Sequence, residues 1–234
     1  MRTVSRLVPY ITAREGEEPE SILALRATFD RAGRSALGYW DESQEDRDPR
    51  GVLWGRCSQL IGRGGLPSGR PQWRLIHPAR HRETMTWLRC QICAGPTRTA
   101  QGYPFLEPAD KGVPRPGDIL RTAQPPVCLA HLRAAVEQCP HLQKGYTALM
   151  VRSAPLYGVI GTPYQWTAQG IKALPGDDTP IPYRSSELRW FLASQLVRCL
   201  QDFTVVELDD LTPLGSIAER RGSCPVAHAK RQSS

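Results

Sequence analysis

The sequence predicts an α+β protein, in which a small antiparallel sheet and a packed C-terminal helix surround a compact cysteine-rich centre. Three observations carry this. Residues 90–141 hold two closely spaced pairs, Cys90-Gln91-Ile92-Cys93 and Cys128-Leu129-Ala130-His131. Residues 146–151 and 156–160 are short apolar runs separated by Ser153-Ala154-Pro155, the pattern of two strands joined by a turn. Leu188, Phe191, Leu192, Leu196, Cys199, Leu200 and Phe203 recur at helical spacing between residues 186 and 203, a broad apolar stripe that must pack against something.

The two pairs supply three thiolates and one imidazole. That donor set suits Zn²⁺, which takes sulfur and nitrogen in a closed tetrahedron with no preferred d-electron geometry. A CxxC turn points two sulfurs at one ion. From Val127 onward, Leu129, Leu132, Val136 and Cys139 recur at helical spacing, which places Cys128 and His131 about one turn apart at a helix N-terminus, where the helix dipole favours thiolate. A knuckle, a connection and a second ligand pair on the first turn of a helix is the layout of a treble clef; a zinc ribbon is the alternative. Cys139 and His141 stand in reserve as ligands, although Cys139 lies about 12 Å beyond His131 along a straight helix. The 94–127 spacer is long and rich in Gly and Pro, with a short hairpin expected around Tyr103.

Along the chain, Ser21 is placed to cap a helix carrying Ile22, Leu25 and Phe29 and ending near Gly33. Residues 41–50 alternate in charge and read as a solvated linker, so residues 1–50 form an N-terminal helical appendage and linker, 51–208 the zinc-centred domain and 209–234 a largely flexible tail. Residues 51–54 begin a strand. The glycine-rich stretch 62–69 lacks the GKS or GKT of a phosphate-binding loop. Pro78 starts a helix after His77 and leads to the first knuckle; His77 and His81 are expected to be hydrogen-bonded packing residues.

The 234 residues carry a net charge of +7, seven cysteines, and no apolar run long enough to span a bilayer. An odd cysteine count without an export signal favours reduced thiols, a bound metal and a cytoplasmic location. Cys199 falls on the apolar stripe, and the Cys-Pro pairs at Cys139 and Cys224 are too short a motif to carry haem. The positive charge is concentrated. Residues 51–100 hold eight arginines, Arg56, Arg63, Arg70, Arg74, Arg80, Arg82, Arg89 and Arg98, against the single acid Glu83.

The series Gly51-Val-Leu-Trp54, Trp73-Arg-Leu-Ile-His-Pro78, Leu88-Arg-Cys-Gln-Ile-Cys93, Pro125-Pro-Val-Cys128 and Cys139-Pro-His-Leu142 resembles a group of uncharacterised actinobacterial, Streptomyces-like zinc-finger-type proteins. In that group the second pair is often CxxC where this chain has Cys128 and His131. The resemblance spans about residues 51–208 and implies a cytoplasmic zinc-binding protein without implying an activity.

Functionally, the leading expectation is a zinc-stabilised binding or regulatory protein whose partner is nucleic acid or an acidic protein. Arg70, Arg74, Arg80, Arg82 and Arg89 would contact phosphates, and Trp73 would stack on a base. The alternatives are a metal-dependent or cysteine-based enzyme and a structural subunit of an assembly. No catalytic residue is assigned: residues 94–127 contain no His for a finger nuclease, no HxE accompanies Pro126-Val127-Cys128 as a deaminase requires, and Cys139 and His141 are too close in sequence to orient one another well.

Overall fold

A computed structural model describes residues 7–109, 112, 114, 115 and 117–211. Its organising element is a strand where the sequence predicts a helix. After a short 3-10 turn at Ser186–Trp190, residues Phe191–Val206 run extended as β12. Along one edge of β12 lie Tyr146–Ser153 (β8) and Leu156–Thr167 (β9), both antiparallel to it. Their register is continuous: Phe191 faces Pro163, Arg198 faces Leu156, Gln201 faces Ser153 and Val206 faces Ala148. Between them the Cys199 amide donates to the Pro155 carbonyl at 2.9 Å. The expected turn at Ser153-Ala154-Pro155 is therefore a seam, and β8 and β9 form one long course beside β12.

Two-sided burial explains both corrections. Phe191, Ala193 and Leu196 enter a core with Met85, Trp54 and Val159, while the intervening Leu192 packs against another with Leu25, Leu37 and Tyr39. The register shifts between Ala193 and Gln195 and again between Val197 and Arg198. A strand buried on both faces is apolar almost throughout, and the extra β12 residue at Ser194 changes which face follows. The resulting spacing imitates a helix.

The ribbon anchors the other strands. Tyr103–Pro108 (β6) pairs with β8, Leu53–Trp54 (β4) pairs in parallel with the start of β12, and Leu120–Thr122 (β7) pairs with its middle. Gly170–Ala173 (β10) and Ile181–Pro182 (β11) pair with β9, completing an eight-stranded sheet rather than the small one expected. Helices are few. Pro78–Thr86 (α1) packs on β12, Leu132–Gln138 (α2) follows the second ligand pair, and Leu208–Leu211 (α3) closes the described chain. No helix among the described residues is long and apolar enough to cross a membrane.

The N-terminal region also departs from expectation. Ser21 does act as a cap, accepting from the Leu23 amide at 3.2 Å, but over a single 3-10 turn at Ile22–Ala24. Leu25–Phe29 (β2) and Ser35–Tyr39 (β3) then form a hairpin. Asp30 turns it by accepting from the Ala32 and Arg34 amides, both at 2.9 Å, and Gly33 takes the left-handed conformation (φ 72°) that the turn needs. Residues 41–50 are likewise built rather than merely solvated. Ser43 and Asp46 make a reciprocal capping box, and buried Asp46 accepts from Nε and Nη2 of Arg56, each at 2.7 Å.

Thr12–Arg14 (β1) pairs with Pro71–Ile76 (β5), crossing residue 50 in sequence. Beside that pair, Glu17 and Arg80 form a fully buried, bidentate ion pair of 2.6 and 2.7 Å. Glu17 also accepts from the Leu60 and Arg14 amides, so all its neighbours favour the carboxylate. Burial works against ionisation there, yet these four donors hold the Glu17 pKa down at about 2. The expected tail beyond Leu211, Cys224 included, lies outside the described residues.

Candidate metal centre

The first ligand pair follows α1 directly. Leu88 adopts a left-handed backbone (φ 49°), ending the helix and aiming the chain into the knuckle. There the Ala94 amide donates to the Cys90 carbonyl and the Cys90 amide to the Gly95 carbonyl, both at 2.8 Å, with Ala94 also left-handed (φ 55°). The turn directs the Ile92 amide at Cys90 Sγ, 3.4 Å away, softening the charge of a thiolate at that position.

Two other segments clamp the knuckle. Tyr10 and Ile11 donate to the Ile92 and Gln91 carbonyls at 3.1 and 3.3 Å, and the Gln91 amide donates to Pro126 at 3.0 Å. Pro125 and Pro126 hold the chain extended, delivering Cys128 to the level of Cys90. Cys128 then stands at the start of a 3-10 turn, Leu129–His131, which leads into α2. The ligand pair thus precedes the helix as expected, although on a tighter turn than an α-helical one. Within the connection between the pairs, Thr99 and Gly102 close a tight turn, the Val127 amide donates to the Pro104 carbonyl at 3.0 Å, β6 joins β8 and β7 joins β12. The short hairpin expected there is replaced by two strands of the main sheet.

The side chains of Cys90, Cys93, Cys128 and His131 converge, with all four ligand atoms within 4.8 Å of one another. Cys128 Sγ lies 3.1 Å from His131 Nδ1, Cys93 Sγ lies 3.9 Å from Cys128 Sγ, and Cys90 Sγ lies 4.0 Å from His131 Nδ1. A tetrahedral ion bound at about 2.3 Å to sulfur and about 2.0 Å to nitrogen separates its ligand atoms by about 3.5–3.8 Å. The four residues are therefore close enough to hold a metal ion. Cys90 is fully buried and the other three are half-buried. An ion held by all four would be four-coordinate, as in structural zinc sites.

The electrostatics point the same way. Hydrogen bonds from Cys128 and Cys93 drive the Cys90 thiol strongly towards thiolate, while the same contacts with Cys128 and Cys90 hold the Cys93 proton in place. The sulfurs of Cys128 and Cys90 raise the His131 pKa to about 10. A site in which Cys93 and His131 hold their protons beside a Cys90 thiolate is short of positive charge, the condition a divalent cation relieves.

Among the described residues only these four form such a group. Cys139 and His141 stay outside it and line a cavity beside α2. His77 caps α1, and His81 joins three elements, with Nε2 2.7 Å from the Ala123 carbonyl and Nδ1 accepting from the Leu196 amide at 3.3 Å. Both are the packing residues expected. Cys199 is half-buried on β12.

The arginine set divides. Arg70 and Arg74 are exposed and Trp73 is 46% exposed, all at or on β5. Arg80 instead spends its charge on Glu17, Arg82 donates to the Glu45 and Arg47 carbonyls at 3.0 Å each, and Arg89 is half-buried with Glu83 3.8 Å away. Glu17 was hidden in an acidic run that reads as a solvated face. The residues Tyr10 and Ile11 that clamp the knuckle left a fainter signal, an apolar pair in a polar N-terminal stretch. Comparison with known protein families, curated proteins and solved structures finds no match to this chain.

Proposed function

We propose that the protein is a zinc-stabilised binding protein, with the ion purely structural and nucleic acid as the partner class. The observation that carries the first part is the convergence of Cys90, Cys93, Cys128 and His131. Thiolate-rich tetrahedra favour zinc over the oxygen-seeking cations. The ion would hold three segments together: the knuckle, α2, and through the knuckle's carbonyls the N-terminal residues Tyr10 and Ile11. The layout is treble-clef-like in its knuckle and its ligand-bearing helix start.

The partner class rests on the exposed remainder of the arginine segment, Arg63, Arg70, Arg74 and Arg98, with Trp73 on the same strand as Arg74. Guanidinium groups contact phosphates without reading sequence, and a half-exposed indole can stack on a base. Metal content measured on protein purified without added metal tests the zinc. Stoichiometric zinc that is lost in Cys93→Ser and kept in Cys139→Ser is expected; zinc retained by Cys93→Ser overturns the ligand set. Single-strand binding that weakens as salt rises, and weakens further in Arg70→Ala, tests the partner.

A further inference from the structure

The cavity that Cys139 and His141 line has a volume of about 500 Å³, within the range of small-molecule sites. Knuckle residues Gln91 and Ile92, strand residues Trp73 and Arg74, and helix residues of α2 all reach it. Apolar Ile92, Leu106 and Leu142 line part of it, the last two belonging to the core around the metal centre.

Its polar groups are few and unusual in kind. Three are carboxamides, from Gln91, Gln124 and Gln138. Arg74 is its one fixed cation, and no Asp or Glu lines it among the described residues. Two of the amides are already oriented: Gln91 Nε2 donates to the Pro125 carbonyl at 3.2 Å, and Gln138 Oε1 accepts from the Leu7 amide at 2.7 Å. Gln91 therefore keeps its carbonyl oxygen as an acceptor and Gln138 its NH₂ as a donor. A flat ligand with donors and acceptors along one edge and a single anionic group satisfies this lining. An aliphatic anion would leave the carboxamides without partners, at a cost for each.

We propose that this cavity receives a nucleobase, stacked on Trp73, bonded along its edge by the glutamines and held through its phosphate by Arg74. The inference rests on the nucleic-acid reading above and gives it a site. The nucleotide can come from a single strand that passes over β5 or be free in solution, since base, sugar and phosphate present the same chemistry.

Zinc-loaded full-length protein would be titrated with a labelled single-stranded oligonucleotide and, separately, with free AMP and CMP. Ala134→Phe fills the cavity from α2, Gln124→Leu removes one carboxamide at nearly constant shape, and Arg70→Ala alters the surface outside the cavity. Ala134→Phe is expected to weaken binding about tenfold or more, the effect of losing one stacked base, with zinc content unchanged. Gln124→Leu should shift the preference between purine and pyrimidine while leaving the salt dependence alone. Free mononucleotide that binds and is displaced by the strand identifies both sources; strand binding alone, sensitive to Ala134→Phe, identifies an inserted base. Salt-dependent strand binding that ignores both cavity variants overturns the cavity and leaves the arginine surface standing. Failure of both strand and mononucleotide to bind overturns both readings, and displacement of nucleotide by an aliphatic carboxylate at equal concentration overturns the base. Should Ala134→Phe lose its zinc, Gln124→Leu decides alone.

Discussion

Two parts of this molecule solve the same problem with different chemistry. Around the knuckle and α2, segments with little regular structure are gathered by three sulfurs and an imidazole. Around β1 and α1, similarly irregular segments are gathered by the buried Glu17–Arg80 pair and by His81. On the zinc reading proposed above, the first clamp depends on an ion from solution, the second only on the chain. The metal side should therefore respond to chelators, and the other side to substitution of single residues.

The largest contrast comes from removing the metal. Structural zinc contributes apparent binding energies of about 10–16 kcal/mol in small zinc domains, far more than any one pair here. Chelation or Cys93→Ser should abolish amide-exchange protection over the knuckle and α2, yet leave α1 and its neighbours in the second clamp protected. Equal loss in both regions would show that the two clamps are one cooperative unit.

Next comes Glu17→Gln, which leaves Arg80 buried without its counter-charge. Breaking a buried pair from one side costs about 3–5 kcal/mol, measurable by urea unfolding, with zinc content unchanged. Adding Arg80→Met to that variant should recover part of the loss. If the single variant unfolds like wild type, the pair is not holding β1 to α1.

Acid should separate the two parts of the second clamp by pH. His81 is buried and neutral, and burial lowers its pKa to about 4 from 6.5. The unfolded chain therefore binds the extra proton between those values, so stability is full above pH 6.5 and falls by about 3 kcal/mol as the pH drops to 4. Glu17, lowered to about 2 from 4.5, gives stability that is complete above pH 4.5 and is lost only below it. His81→Gln should flatten the upper window and spare the lower one, as read from unfolding midpoints across pH.

The smallest effect belongs to the surface. Arg56 bonds both buried Asp46 and exposed Asp41. Asp41→Ala should leave stability nearly unchanged, as loss of an exposed ion pair does, while Asp46→Ala, which also removes the capping box, should cost clearly more in the same denaturation assay.

The ligand set was legible because its signal is local: each pair lies within four residues, and the distance between pairs does not alter the chemistry of either. The helix after His77 was legible for the same reason, since proline fixes its start. The sheet was not. Helical spacing in residues 186–203 came from a bulge and burial on two faces, which depend on partners 28 to 52 residues away in β8 and β9. Ser153-Ala154-Pro155 carries turn chemistry, but the Arg198 guanidinium reaches across the seam to the Ala154 carbonyl while also bonding Met85 and Thr86 carbonyls at 2.8 and 2.9 Å. Only a residue distant in sequence makes that seam an acceptable place for the chain to run on.

The pairing of β8 and β9 along β12, whose two register shifts cancel so that both ends keep one register, also governs how this protein can change in length. At about 3.3 Å per residue, β12 is a beam roughly 50 Å long, from which the separate cores hang at set intervals. Deleting one residue from it would slide everything beyond by a full position and exchange inside for outside. Loops such as 62–69 can lengthen freely during evolution, while the beam tolerates exchange of side chains but not a change in their number.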